Sequence, residues 1–314
     1  MIIFVIVLTI LFQFLNNIFK DNNDGRQKIE RVLNEEKDYD VYFIGSSHTL
    51  YTFDPQYIDS LSGLNTYNLG TGWQFFDTSL LIVEELIKKK QPQAIFIDVF
   101  TNTFIDSPNT NEEAVSNQLK ITDHLPFSIN KIKYINNLSN NNLIKTFEYL
   151  NPFIRRRNII INKPFDNYKE DLSDQKGFAK ITGINQNDKQ IYNYKDFDFV
   201  NNKKNLYDEK GLKLTVSRFE EISRILKICD KKQIELLFIS TPDLRVFDEN
   251  HHIKYHEFFK KLSQKLNIKY IDLNENFQEI GLEFSDFYDT NHVNETGAKK
   301  TSEYLSKNIP KILR

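Results

Sequence analysis

The sequence predicts an α/β domain built on a parallel sheet, and three observations carry that reading. An unbroken apolar run at 41–44, and mainly apolar runs at 94–100 and 234–239 that contain only Asp98 and Glu235 as charges, suit buried strands. Stretches of helical periodicity lie between them with short links, the pattern of βαβ units. Aromatic residues are abundant, 26 Phe and 15 Tyr in 314 residues, enough to fill a large core. The formal net charge of −2 offers no bulk electrostatic reason to bind nucleic acid, and no such partner is expected. Cys229 is the single cysteine, so an intrachain disulfide is excluded.

Residues 2–19 carry no charge and as a helix would cover roughly 27 Å, close to the thickness of a bilayer core. No Ala-x-Ala-like cleavage site follows. The expectation is a single-pass transmembrane anchor over 1–20; the alternative, a buried N-terminal helix, would usually show a polar face. Lys20, Arg26, Lys28 and Arg31 follow the segment, which by the positive-inside rule would hold the body in the cytoplasm. A polar stalk, 21–38, comes next, with Ile29, Val32 and Leu33 as its apolar positions.

The first strand, 41–44, stops at Gly45 and delivers Ser46, Ser47 and His48 to its carboxyl end, the edge where open α/β sheets place ligands. Ser47 is the candidate nucleophile, with Ser46 and His48 as candidate pocket residues. A short extended pair at 66–67 leads into Asn68-Leu69-Gly70-Thr71-Gly72, either a plain strand-to-helix turn or a close backbone approach to a ligand. Residues 77–90 repeat apolar positions at helical spacing and end in three lysines; Pro92 precedes the next strand.

Residues 104–215 show no sustained periodicity and are too long for a simple loop, so they are read as a partly helical insertion. Within it, Arg155-Arg156-Arg157 is either a solvated run or a site for phosphate or anionic headgroups. Regularity returns with a helix from 214 that puts Cys229 on its apolar face, a strand at 234–239, an amphipathic helix at 255–266 and a strand at 268–273. His252 and His256 share helical spacing but lack the glutamate and third ligand of a metal motif, so no metal is expected. A final helix over 296–313 is expected to be interrupted by Pro310.

A serine needs a base within reach. Just before the final helix, Asp289-Thr290-Asn291-His292 places a carboxylate three residues from an imidazole it could orient. Gly45-Ser46-Ser47 after a first strand, together with Asp289-x-x-His292 before the last helix, resembles the SGNH/GDSL hydrolase superfamily. Ser46 stands where that family usually has aspartate, as it does in membrane-anchored DltD-like and polysaccharide O-acetylation members. Gln175-Lys176-Gly177-Phe178 also resembles a segment of some of them.

The resemblance implies a three-layer α/β/α domain over 39–314, with a flavodoxin-like parallel sheet of about five strands. It implies catalytic Ser47, Asp289 and His292, and an oxyanion hole from the Ser47 and Gly70 N–H groups and the Asn102 amide. Asn102 falls on the family's asparagine, although Phe100 and Thr103 replace the glycine and aspartate around it. It implies acyl-ester transfer or hydrolysis on an envelope polysaccharide or glycopolymer, outside the membrane and without a cofactor. A membrane-bound O-acyltransferase is the implied partner. The alternative is a non-catalytic accessory subunit.

Overall fold

The computed structural model describes residues 2–20, 25–100, 104, 108–156, 175–188, 191, 215–247 and 256–313. In chain order, α1 (Ile2–Ile18) and α2 (Gln27–Asn34) precede β1 (Val41–Ile44). Helices α3 (Ser47–Thr52) and α4 (Pro55–Ser62) lead to β2 (Thr66–Asn68), and α5 (Phe76–Lys89) leads to β3 (Ala94–Asp98). After α6 (Glu112–Thr122), α7 (Ile129–Leu138) and α8 (Leu143–Tyr149), α9 (Val216–Lys231) precedes β4 (Glu235–Ser240). The chain ends with α10 (His256–Leu266), β5 (Lys269–Asp272), α11 (Phe277–Ile280) and α12 (Glu295–Ile312). It divides into two compact units, Met1–Glu35 with Ser107–Asp171, and Glu36–Asp106 with Leu172–Arg314.

The larger unit holds a five-stranded, wholly parallel sheet in the order β2-β1-β3-β4-β5, flanked by helices. This order reverses between β1 and β3, which opens a crevice at their carboxyl ends. Every residue of β1 and β3 is buried, Asp98 at the end of β3 included. Val41 and Phe43 share one core cluster with Phe96, with Ile58 of α4 and with Leu305 and Ile309 of α12. Tyr42 and Ile44 point the other way and are equally inaccessible, so both faces of the sheet are covered.

Most predicted boundaries fall within a residue or two of the observed ones. Pro310 does not interrupt the last helix: α12 runs on to Ile312 with the proline inside it. A proline this close to the C-terminus removes only one late backbone bond, so the final turn absorbs it.

In the smaller unit, the stalk positions Ile29, Val32 and Leu33 form the buried side of α2. Val115, Leu119, Ile135 and Leu138 form a small core of α6 and α7, backed by Tyr149 and Leu150. Arg155 donates to Tyr149 O at 2.7 Å and to Asp123 at 2.5 Å, and Arg156 donates to Phe19 O at 3.0 Å. Two of the three arginines are thus internal ties; Arg157 lies outside the described residues.

The expected transmembrane helix is not supported: no helix among the described residues is long and apolar enough to cross a membrane. The N-terminal helix α1 has 17 residues, Ile2–Ile18. Its C-terminal turns also dock on protein. Asn16 donates to Asn151 Oδ1 (3.1 Å) and accepts from Phe153 N (3.1 Å), while Phe12 and Phe19 meet the Phe153 ring edge-on.

Candidate active site

Gly45 ends β1 where no side chain fits. A Cβ there would sit 2.2 Å from Thr49 Oγ1 and 2.5 Å from Asp98 Cβ. The chain then turns into α3, with Ser46 as its N-cap. Ser46 Oγ accepts from His48 N (3.3 Å) and donates to Asp98 Oδ2 (3.2 Å), so Ser46 is a buried joint between the ends of β1 and β3. Ser47, one residue on, is half-buried. The two serines, equivalent by composition, have been given different tasks by the turn.

His292 Nε2 lies 2.8 Å from Ser47 Oγ. On its other side, His292 Nδ1 is 2.9 Å from Asp289 Oδ2 and 3.0 Å from Oδ1. A carboxylate can only accept, so Nδ1 carries the proton and Nε2 is left to accept from the serine hydroxyl. Asp289 Oδ1 also accepts the backbone N–H groups of Asn291 (3.0 Å) and His292 (2.8 Å), which folds the four residues into a single turn. Burial alone would raise the Asp289 carboxyl, but the bond to His292, the imidazole charge and these two amides outweigh it and lower it.

A column of rings supports the imidazole. His48 stacks on His292, centroids 4.7 Å apart, and on Phe100 at 3.7 Å. The Arg245 guanidinium lies over the Phe100 ring, 5.4 Å from its centroid. Asp243 holds Arg245 through bonds of 3.0 and 2.6 Å. His48 also meets the Asn291 amide at 3.2 Å. Burial, then the neighbouring His292 and Arg245, push the His48 imidazole well below its ordinary value, so it stays neutral. His48 and Ser46, expected as pocket residues, are both buried, each 2% exposed. Nothing in the sequence signals the stacking role of Phe100 or of Arg245, because the column joins residues from four distant segments.

Gly70 follows β2, and its N–H donates to Asn68 Oδ1 at 2.9 Å. Asn68 Nδ2 in turn donates to Thr49 O and Phe53 O, both 2.8 Å, and ties α3 to β2. The amide expected to face an oxyanion is therefore already engaged. A Cβ on Gly70 would sit 2.6 Å from Leu50 N, so its glycine serves close packing against α3. Gly177, at φ +84°, packs as tightly: a Cβ there would fall 2.0 Å from Asn68 O. Asn102 lies outside the described residues.

Among the described residues no group of three or more His, Cys, Asp or Glu side chains is arranged so that it could hold a metal ion. His256 is buried between Asp272 (2.9 Å) and Glu275 (3.0 Å); His251 and His252 lie outside the described residues.

No family model matches the chain, and no curated protein matches it. The solved structures similar to it include that of a putative acylhydrolase from Bacteroides fragilis NCTC 9343. The likeness covers 94% of this chain and 100% of that one, at 12% identity and a TM-score of 0.44. It is too distant to carry an argument about chemistry, which rests on the residues themselves.

Proposed function

We propose that the chain is a serine-dependent acyl-ester hydrolase or transferase of SGNH type. One observation carries the reading: Ser47 Oγ, His292 and Asp289 form a continuous hydrogen-bonded line of 2.8 and 2.9 Å. In this reading Ser47 Oγ attacks the ester carbonyl as its proton passes to His292 Nε2. Asp289 stabilises the imidazolium that results. The imidazolium then protonates the departing alkoxide, leaving an acyl-serine. Water, or a hydroxyl of an envelope polysaccharide or glycopolymer, releases the acyl group with His292 again taking the proton. A transferase of this kind would receive its acyl group from a membrane-bound O-acyltransferase partner.

A second reading, a non-catalytic accessory subunit, is favoured by the engaged Gly70 N–H, which removes one of the three expected oxyanion donors. A fluorophosphonate probe separates the two. Covalent labelling at Ser47, lost in Ser47→Ala with stability changed by no more than about 0.5 kcal/mol, is expected of the enzyme. An unlabelled wild-type chain, or labelling at Ser46, would sink the catalytic assignment.

A further inference from the structure

Large apolar side chains left exposed are concentrated in the smaller unit. On α1, Val7, Ile10, Leu11, Phe14 and Ile18 are 39–60% exposed. Their spacing of three and four is one helical stripe, and it lies apart from the Phe12, Asn16 and Phe19 positions that dock on 151–153. At the entry to α7, Phe127 is 78% and Ile129 71% exposed. The first turn of α8 presents Leu143 at 79%, Ile144 at 82% and Phe147 at 57%. Of twelve such residues among those described, only Leu61 and Trp73 belong to the larger unit. An apolar surface of this extent marks an interaction site.

Charge selects the occupant. Lys131 is buried on Leu125 O, and Arg155 and Arg156 are internal ties, so the charge this region presents beside the apolar turns is that of Lys133 and Lys145, with Glu148 half-buried. Lys133 and Lys145 are exposed beside the apolar turns of α7 and α8. Bulky apolar tips on separate elements, interspersed with lysine, match the boundary between acyl chains and anionic headgroups. The faces are also connected: Asn151 donates to Phe147 O (2.5 Å) and accepts from Asn16 (3.1 Å), joining α8 to the end of α1.

We propose that this unit seats on the surface of an anionic lipid bilayer, with the α1 stripe, Phe127 and Ile129, and Leu143, Ile144 and Phe147 inserted at the interface. The helix α1 lies in the membrane plane and does not span it. The proposal does not rest on the catalytic reading.

The test uses the full-length chain and vesicles of phosphatidylcholine with phosphatidylglycerol in equal parts. The chain is expected to float with them, and about tenfold less with phosphatidylcholine alone or in high salt. The combined variant Leu143→Ser, Ile144→Ser, Phe147→Ser should lose at least about tenfold in vesicle affinity, as should Phe127→Ser with Ile129→Ser, each with an unchanged circular dichroism spectrum. Ile144→Trp in a Trp73→Phe background should emit at shorter wavelength on binding and be quenched by brominated phospholipid. Undiminished flotation of both Ser variants without quenching would assign membrane binding to α1 alone and overturn the proposal. A chain that ignores vesicles overturns it too, whether it is monomeric or forms a dimer that the Ser substitutions dissolve.

Discussion

At the scale of the residue, His292 is held by contacts that differ in kind. Asp289 fixes its tautomer by hydrogen bonding, while His48 and Tyr51 fix its plane, one by stacking and the other edge-on at 5.6 Å. If Ser47, His292 and Asp289 work as one relay, their losses must not multiply. His292→Ala should lower kcat on an activated acetyl ester by about 10²- to 10⁴-fold. Asp289→Asn should approach that loss, and the double variant should be scarcely worse than His292→Ala. The Asp289 carboxyl is lowered from its ordinary value, so it stays ionised as solutions are made mildly acidic. His48 is already neutral there. Multiplied losses in the double variant would show independently acting groups.

At the scale of the element, the loop bearing Asp289 and His292 is only as well placed as the helix it enters. Asn294 caps α12, its Oδ1 accepting from Thr296 N (3.0 Å) and Gly297 N (3.3 Å). Its Nδ2 donates to Ser285 O at 2.8 Å, so one buried amide closes the loop upon itself. Asn294→Ala should cost about 1–2 kcal/mol by urea unfolding. It should also lower kcat while the variant remains folded, since His292 lies two residues upstream. A variant that loses stability and keeps full kcat would show that α12 and the loop are uncoupled.

At the scale of the whole molecule, the sheet contains a buried acid with a stability cost. Burial pushes the Asp98 carboxyl up to about 7, against the lowering effect of the Ser46 bonds. An unfolded aspartate titrates near about 3.9. Between those values the native chain holds a proton that the unfolded chain has released, so stability falls as pH rises through the window. The urea midpoint of the wild type should drop between pH of about 5 and about 8 by more than that of Asp98→Asn, which has no charge to bury there. Parallel curves would place the ionised carboxylate in a better solvated setting than its burial implies.

The local code of this chain was enough for the strands, because a run such as Val41–Ile44 can satisfy its side chains only between two covered faces. Gly45-Ser46-Ser47 and Asp289-x-x-His292 were legible for a similar reason: a sharp turn at a strand end and a three-residue spacing constrain geometry within a few residues. Tertiary structure decided what no local pattern encodes. It turned Ser46 toward Asp98 and Ser47 toward His292, and it engaged the Gly70 N–H with Asn68. It stacked His48 between Phe100 and His292, and it joined an uncharged N-terminal helix to residues 151–153 in one unit, where a lone span had been expected. Periodicity reports which face of an element is apolar, but the partner that covers that face is chosen by packing between segments more than a hundred residues apart.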